Sequence, residues 1–210
     1  MPLTLIIMLF LVSCWLLGSI PTAFLICTIW NKKPLTTGNF GFTYTFKNVG
    51  KTAGILLLFS EFIIKVLIPM VVSNIVISKI DIGDGEIVKL LTIICVVTGN
   101  AWSIFTKMKG GRSVLILYLS LVFWNPIVWM FVVTIPLCSM LMDEDTAPFV
   151  ALALILLPIM GYGDLTTQAL LGLLVCIMLS KRVTANQILK LPQMNTRLLF
   201  NRLLFDRDNV

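Results

Sequence analysis

Apolar residues in this chain gather in blocks rather than in stripes. Residues 3–30, 55–77 and 87–105 are almost continuously apolar, and about 20 such residues carry a helix across the hydrocarbon core of a bilayer. Farther on, Asn125-Pro126, the acidic stretch at 142–146 and residues 161–164 cut the apolar sequence into pieces at 113–124, 127–142, 147–162 and 165–180. The pattern predicts an all-α polytopic membrane protein with seven transmembrane helices. The shorter ones cross only part of the bilayer, which is tolerated where their polar ends meet other protein or a cavity. The alternative is five helices, with two hairpins merged or re-entrant. Residues 1–210 read as one integral membrane domain, and 181–210 as a cytoplasmic amphipathic tail.

Composition rules out a soluble domain. The chain is 58% hydrophobic and 12% charged, its mean hydropathy is +0.99, and soluble domains carry about 25% charged residues. Lys32, Lys33, Lys47, Lys51, Lys107, Lys109, Arg112 and the tail cations fall on one side of the predicted spans, against Lys79 and Lys89 on the other. Basic loops stay inside, so the N-terminus is expected outside and the C-terminus in the cytoplasm. The first segment lacks a basic flank and a small-residue cleavage site, and is expected to stay attached. The five cysteines stand singly in apolar segments and read as buried apolar residues. No metal, cofactor or nucleic-acid partner is expected. There is no histidine anywhere, so imidazole proton transfer is excluded.

Two stretches break the apolar pattern with glycines, amides, hydroxyls and cations. Residues 99–113, GNAWSIFTKMKGGRS, end one helix and open another. Lys109, Gly110, Gly111 and Arg112 there put backbone N–H groups, a helix N-terminus and a guanidinium within reach of one anion. The bland reading is a tight turn whose cations touch lipid headgroups. The other stretch, residues 36–47, TTGNFGFTYTFK, holds Thr36, Thr37, Gly38, Asn39, Gly41, Thr43 and Lys47. Its hydroxyls, amide and glycines suit an oxyanion or a glycerol hydroxyl, and its alternating aromatics suit the membrane interface. Glu61 and Lys65 sit within the second apolar run at helical spacing. They read either as a functional pair at membrane depth or as a structural ion pair with a snorkelling lysine. Thr196, Arg197, Asn201 and Arg202 alternate with leucines in a segment suited to the bilayer surface.

Taken in order, GSIPTAFL at 18–25, TTGNFGFTYTFK, KTAG at 51–54 and GNAWSIFTKMKGGRS resemble the motifs of the acyl-phosphate-dependent glycerol-3-phosphate acyltransferases, a family of seven-helix bacterial membrane enzymes. The likeness is good over residues 15–115 and poor in the tail. Several positions depart from the family. Thr37 stands for a serine, Tyr44 for an asparagine, Lys47 for an arginine, Asn100 for a histidine, Ser103 for a proline and Glu61 for an aspartate. Arg112-Ser113 replaces Lys-Gly, and Thr196 takes the place of a second histidine.

The resemblance implies acyl transfer from an acyl phosphate to glycerol 3-phosphate, in the bacterial inner membrane, by a monomer whose active-site loops face the cytoplasm. It implies Thr37, Asn100 and Arg112 as catalytic residues. Thr36, Gly38, Asn39, Gly41, Thr43 and Lys47 would hold one phosphate, and Lys109, Gly110 and Gly111 the other, with Arg197 and Arg202 closing the cytoplasmic mouth. The competing reading is a paralogue that binds lipid or phosphate without turnover. A channel or transporter is disfavoured, because no repeat and no run of polar residues through successive helices is present.

Overall fold

The computed structural model describes residues 3–30, 41–80, 84–160, 164–186 and 195–206. Thr36, Thr37, Gly38 and Asn39 lie outside the described residues. Every regular element among those described is helical.

The first apolar run forms two helices, α1 (Leu3–Ser19) and α2 (Thr22–Ile29), where the hydropathy pattern predicts one. The break falls at Ile20-Pro21, since proline has no N–H to give the helix and disfavours helical geometry in the residue before it. α3 (Phe42–Tyr44) runs into a π-helical turn, Thr45–Val49, which stops at Gly50. Next, α4 (Lys51–Glu61), a second π-helical stretch (Phe62–Leu67) and α5 (Ile68–Ile80) continue without a gap. α6 (Gly85–Ala101), a 3-10 turn (Ile104–Thr106) and α7 (Val114–Trp124) complete a compact unit, Met1–Trp124.

Among the described residues, four helical stretches are long and apolar enough to cross a membrane: Thr4–Ile29, Lys51–Lys79, Gly85–Thr106 and Leu165–Thr184. Val114–Trp124, Pro126–Leu141 and Thr146–Met160 are apolar but shorter. They overlap the apolar segments expected from the sequence, four of them at the length a span needs. Their outer surfaces are apolar too: Met8, Phe59, Ile127, Ile159 and Leu165 are all exposed, as expected where lipid replaces water around a helix. Cys14 and Cys27 are buried as expected, whereas Cys138 and Cys176 lie on exposed helix faces. An apolar outer face accommodates a thiol as readily as a core does.

Within the first unit, α1 and α6 pack closely. A Cβ at Gly99 would stand 2.2 Å from the Trp15 carbonyl oxygen, and a backbone atom on a packed helix has nowhere to go. Gly99→Ala should therefore part the two helices and destabilise the protein by about 1–3 kcal/mol, read as a lower unfolding midpoint in detergent.

The second unit, Asn125–Val210, contains α8 (Pro126–Leu141), α9 (Thr146–Met160), α10 (Leu165–Thr184) and α11 (Thr196–Leu204). Asn125 caps α8, its side-chain oxygen accepting from the N–H groups of Ile127 at 3.0 Å and Val128 at 3.2 Å. Proline follows at the first helical position, where its missing N–H costs nothing. At the other end of the unit, α11 packs on α9 and α10. Arg182 donates to the carbonyls of Ala147 at 3.2 Å and Leu203 at 3.1 Å, and Arg202 to that of Val183 at 3.2 Å. Part of the tail is thus held by buried arginines.

Asp164 caps α10, accepting from the Thr167 N–H at 3.0 Å. That bond stabilises the ionised carboxylate and holds its pKa below the usual range. Because the folded value is the lower one, the cap contributes stability above the ordinary carboxylate range and loses it as the pH falls through the lowered value. The stability difference between wild type and Asp164→Ala should accordingly shrink on acidification. A difference independent of pH would contradict the capping role.

Candidate active site

The polar residues of the first unit converge where α2, the end of α4, the end of α6 and the loop 102–113 meet. Pro21 starts α2 in a new direction, and Thr22 in its first turn is buried with its hydroxyl inward. Across from it, α4 passes into the π-helical stretch directly after Glu61. π-Helical turns widen the helix locally and recur at functional sites. Here the wide turn carries Lys65, which is only 2% exposed, alongside Glu61 at 6%. Lys65 therefore does not snorkel. Its ammonium donates to the Asn100 side-chain oxygen at 2.6 Å, to the Thr22 hydroxyl at 3.0 Å and to Glu61 Oε1 at 3.4 Å. Thr22 in turn donates to Glu61 Oε1 at 3.2 Å.

These contacts fix the Asn100 carboxamide. A lysine ammonium has only donors, so the atom facing it must be the oxygen. The amide nitrogen then points the other way and donates to the Ser113 hydroxyl at 2.8 Å, which itself donates to the Val97 carbonyl at 3.1 Å. Three acceptors around one Nζ use all three protons of a charged lysine. The result is a closed chain of polar groups inside an apolar unit, the condition under which buried polar residues are tolerated.

The backbone of Asn100 carries the neighbouring loop. Its carbonyl accepts the Gly111 N–H at 3.2 Å, and a Cβ on Gly110 would stand 2.0 Å from the same oxygen. Only glycine permits that approach. The loop before it is tied by Ser103, whose hydroxyl donates to the Ser19 carbonyl, and by Thr106, which donates to the Lys109 carbonyl. Lys107, Met108 and Ser113 all have left-handed backbones, with φ of 55°, 63° and 62°. Such residues cost roughly 1–2 kcal/mol each and persist only when their surroundings hold them, commonly at functional sites.

A narrow cavity of about 20 Å³ opens between these elements, room for about one water molecule. Its walls include Thr22, Glu61, Lys65, Asn100, Ser103, Thr106, Lys109, Gly110 and Gly111. Of the residues expected from sequence, Asn100, Lys109, Gly110 and Gly111 meet here. Arg112 is half-buried next to them in the chain but does not line the cavity. Gly41 caps α3, and Thr43 lies in that helix. Lys47 is exposed on the first π-helical turn. Arg197 is exposed and Arg202 buried, both in the second unit.

Thr22, Ser103 and Ser113 are part of the site without having been expected, whereas Lys65 and Glu61 were weighed either as a functional pair or as a structural one. The signal for Lys65 was its position: an ionisable residue inside an apolar run is a functional candidate by default. The serines carried no such signal.

The sequence profile of the glycerol-3-phosphate acyltransferase family matches residues 8–190. The chain belongs to that family. A Streptococcus gordonii glycerol-3-phosphate acyltransferase is 32% identical over 183 residues, covering 81% of this chain and 80% of its own. Glycerol-3-phosphate acyltransferase 2 of Lactobacillus acidophilus is 25% identical over 174 residues, covering 79% and 78%. The fold resembles the crystal structure of PlsY (YgiH), an integral membrane glycerol 3-phosphate acyltransferase, in its glycerol 3-phosphate form, with a TM-score of 0.70 at 21% identity over 89% of this chain and 92% of that one. The lysophosphatidic acid form of PlsY matches with a TM-score of 0.68. The family match and the 32% identical relative point to a membrane acyltransferase, in agreement with the motif resemblance, and the structural likeness shows a shared fold.

Proposed function

We propose that the chain transfers a fatty acyl group from an acyl phosphate to the primary hydroxyl of glycerol 3-phosphate, giving lysophosphatidic acid and inorganic phosphate. The new ester bond forms between the hydroxyl oxygen and the acyl carbon, the acyl carbon–oxygen bond to phosphate breaks, and the hydroxyl proton leaves with the phosphate. An acyl phosphate is already activated. The protein's part is to bring two anions together and stabilise the charge that develops, and a substrate phosphate takes the proton that no histidine is present to take.

The observation that carries this reading is the convergence of Asn100, Lys109 and the Gly110-Gly111 turn on one cavity beside a buried cation. In this scheme Gly110, Gly111 and Arg112 serve one phosphate. Thr36, Thr37, Gly38, Asn39, Gly41, Thr43 and Lys47 serve the other. The seven apolar helices cross a bacterial cell membrane with the N-terminus outside and both glycine-bearing loops facing the cytoplasm, and the enzyme works as a monomer.

The test is purified protein in lipid mesophase or detergent, supplied with palmitoyl phosphate and glycerol 3-phosphate, with phosphate release and lysophosphatidic acid both measured. Stoichiometric formation of the two is expected. Arg112→Ala should lower the rate at least tenfold, roughly the loss of one charge-assisted hydrogen bond in the transition state. No product at high enzyme concentration would sink the reading.

A further inference from the structure

The Glu61–Lys65 pair is more than ballast for the helix that carries it. A structural ion pair directs its charges at each other, yet here the ion-pair contact, at 3.4 Å, is the longest of the three bonds that Lys65 makes. The shortest, at 2.6 Å, goes to Asn100. Asn100 is also the residue whose carbonyl seats the Gly110-Gly111 turn. One side chain thus links a buried positive charge to the glycine turn across a single residue. Both charged groups line the cavity, together with Lys109 of the loop.

We propose that Lys65 is a positioning residue for the substrate phosphate: it holds Asn100, and through it the glycine turn, in place, and it sets the positive charge at the cavity floor. The proposal deepens the acyltransferase reading and rests on it for the identity of the substrate. Glu61 tempers that charge. With the carboxylate present, the pair is close to neutral. An arriving phosphate competes with Glu61 for the same cation.

A structural pair and a positioning pair respond differently when both charges are removed. Replacing a buried ion pair with neutral groups of similar size is often tolerated by the fold. The double variant Glu61→Gln/Lys65→Met should therefore fold. In it, the KM for glycerol 3-phosphate should rise about 10- to 100-fold, the factor expected for one hydrogen bond to a charged group, while kcat changes much less. Stabilisation of the purified protein by glycerol 3-phosphate or inorganic phosphate, measured as a shift in unfolding temperature, should be lost. The single variant Glu61→Gln gives a readout of opposite sign. It leaves the cation unopposed, so the phosphate-induced shift should exceed that of wild type.

A folded double variant with wild-type KM and wild-type phosphate stabilisation overturns the proposal, as does a Glu61→Gln protein whose phosphate shift is no larger than that of wild type. If the double variant does not fold, the Glu61→Gln arm decides alone. Wild-type turnover with these two failures removes the role of Lys65 and leaves the acyltransferase reading standing. A wild type without turnover, whose phosphate stabilisation disappears in the double variant, removes the acyltransferase reading and keeps Lys65 as a phosphate-positioning residue.

Discussion

Gly110→Ala should abolish most of the activity while leaving the protein in the membrane. The added methyl group would stand 2.0 Å from the Asn100 carbonyl oxygen and 2.6 Å from that of Ala101. Both are backbone atoms at the end of α6, so neither can swing aside as a flexible side chain would. The loop must move instead. That motion stretches the bond from the Gly111 N–H to Asn100, now 3.2 Å, and shifts the turn proposed to cradle a phosphate. A misplacement of about 1 Å near reacting groups can cost on the order of 100-fold in rate, and a loss of that size or more is expected in the phosphate-release assay. The helices that anchor the protein do not depend on Gly110, so expression and membrane insertion should fall far less than activity. Activity within a fewfold of wild type would show that the glycine turn has no part in catalysis.

The order and rough extent of the helices were legible because membrane insertion depends on a coarse property. A run of apolar residues such as 55–77 or 87–105 predicts a helix almost regardless of which apolar residues it holds, and three consecutive helical elements over residues 51–80 and the helix Gly85–Ala101 appear there. The glycine turn at 110–111 stood out for a different reason: glycines and cations interrupt the apolar pattern at a helix boundary, a combination that suits an anion site or a tight turn beside lipid headgroups. Periodicity could not show that Ile20-Pro21 splits the first run, or that Phe62–Leu67 winds as a π-helix, since both depend on a local backbone choice that leaves the hydropathy pattern unchanged. The π-helical winding is what hid the bond from Lys65 to Asn100. On a regular helix, Glu61 and Lys65 at i, i+4 simply face each other; on the wider turn, the lysine reaches past the glutamate to Asn100. Asn100 itself looked like the loss of a histidine. In the structure it is the middle of a chain from Lys65 to Ser113, a role visible only when residues 35 and 13 positions away in sequence are brought together. The first-loop residues from Thr36 to Asn39 remain a matter of sequence alone.

Lys65→Met by itself should be the most destabilising single change in the first unit. The double variant spreads the loss over two neutral groups, whereas the single one strands the Glu61 carboxylate at 6% exposure. Its remaining bond is to Thr22. The Asn100 oxygen loses its donor at the same time, so a buried carboxylate without its counter-charge and a buried acceptor without its donor arise together. Breaking a buried pair by removing one partner typically costs about 3–5 kcal/mol. That is a large share of the total stability of a domain. Adding Glu61→Gln to Lys65→Met should recover much of this loss, because an amide is far cheaper to bury than a carboxylate. A double-mutant cycle on unfolding free energies, measured in one detergent at one pH, tests the coupling directly. A coupling energy of about 2 kcal/mol or more is expected. A value near zero would mean that the carboxylate and the ammonium are stabilised by their surroundings independently, and the chain of bonds from Thr22 through Lys65 to Asn100 would then have to be read as separate local contacts.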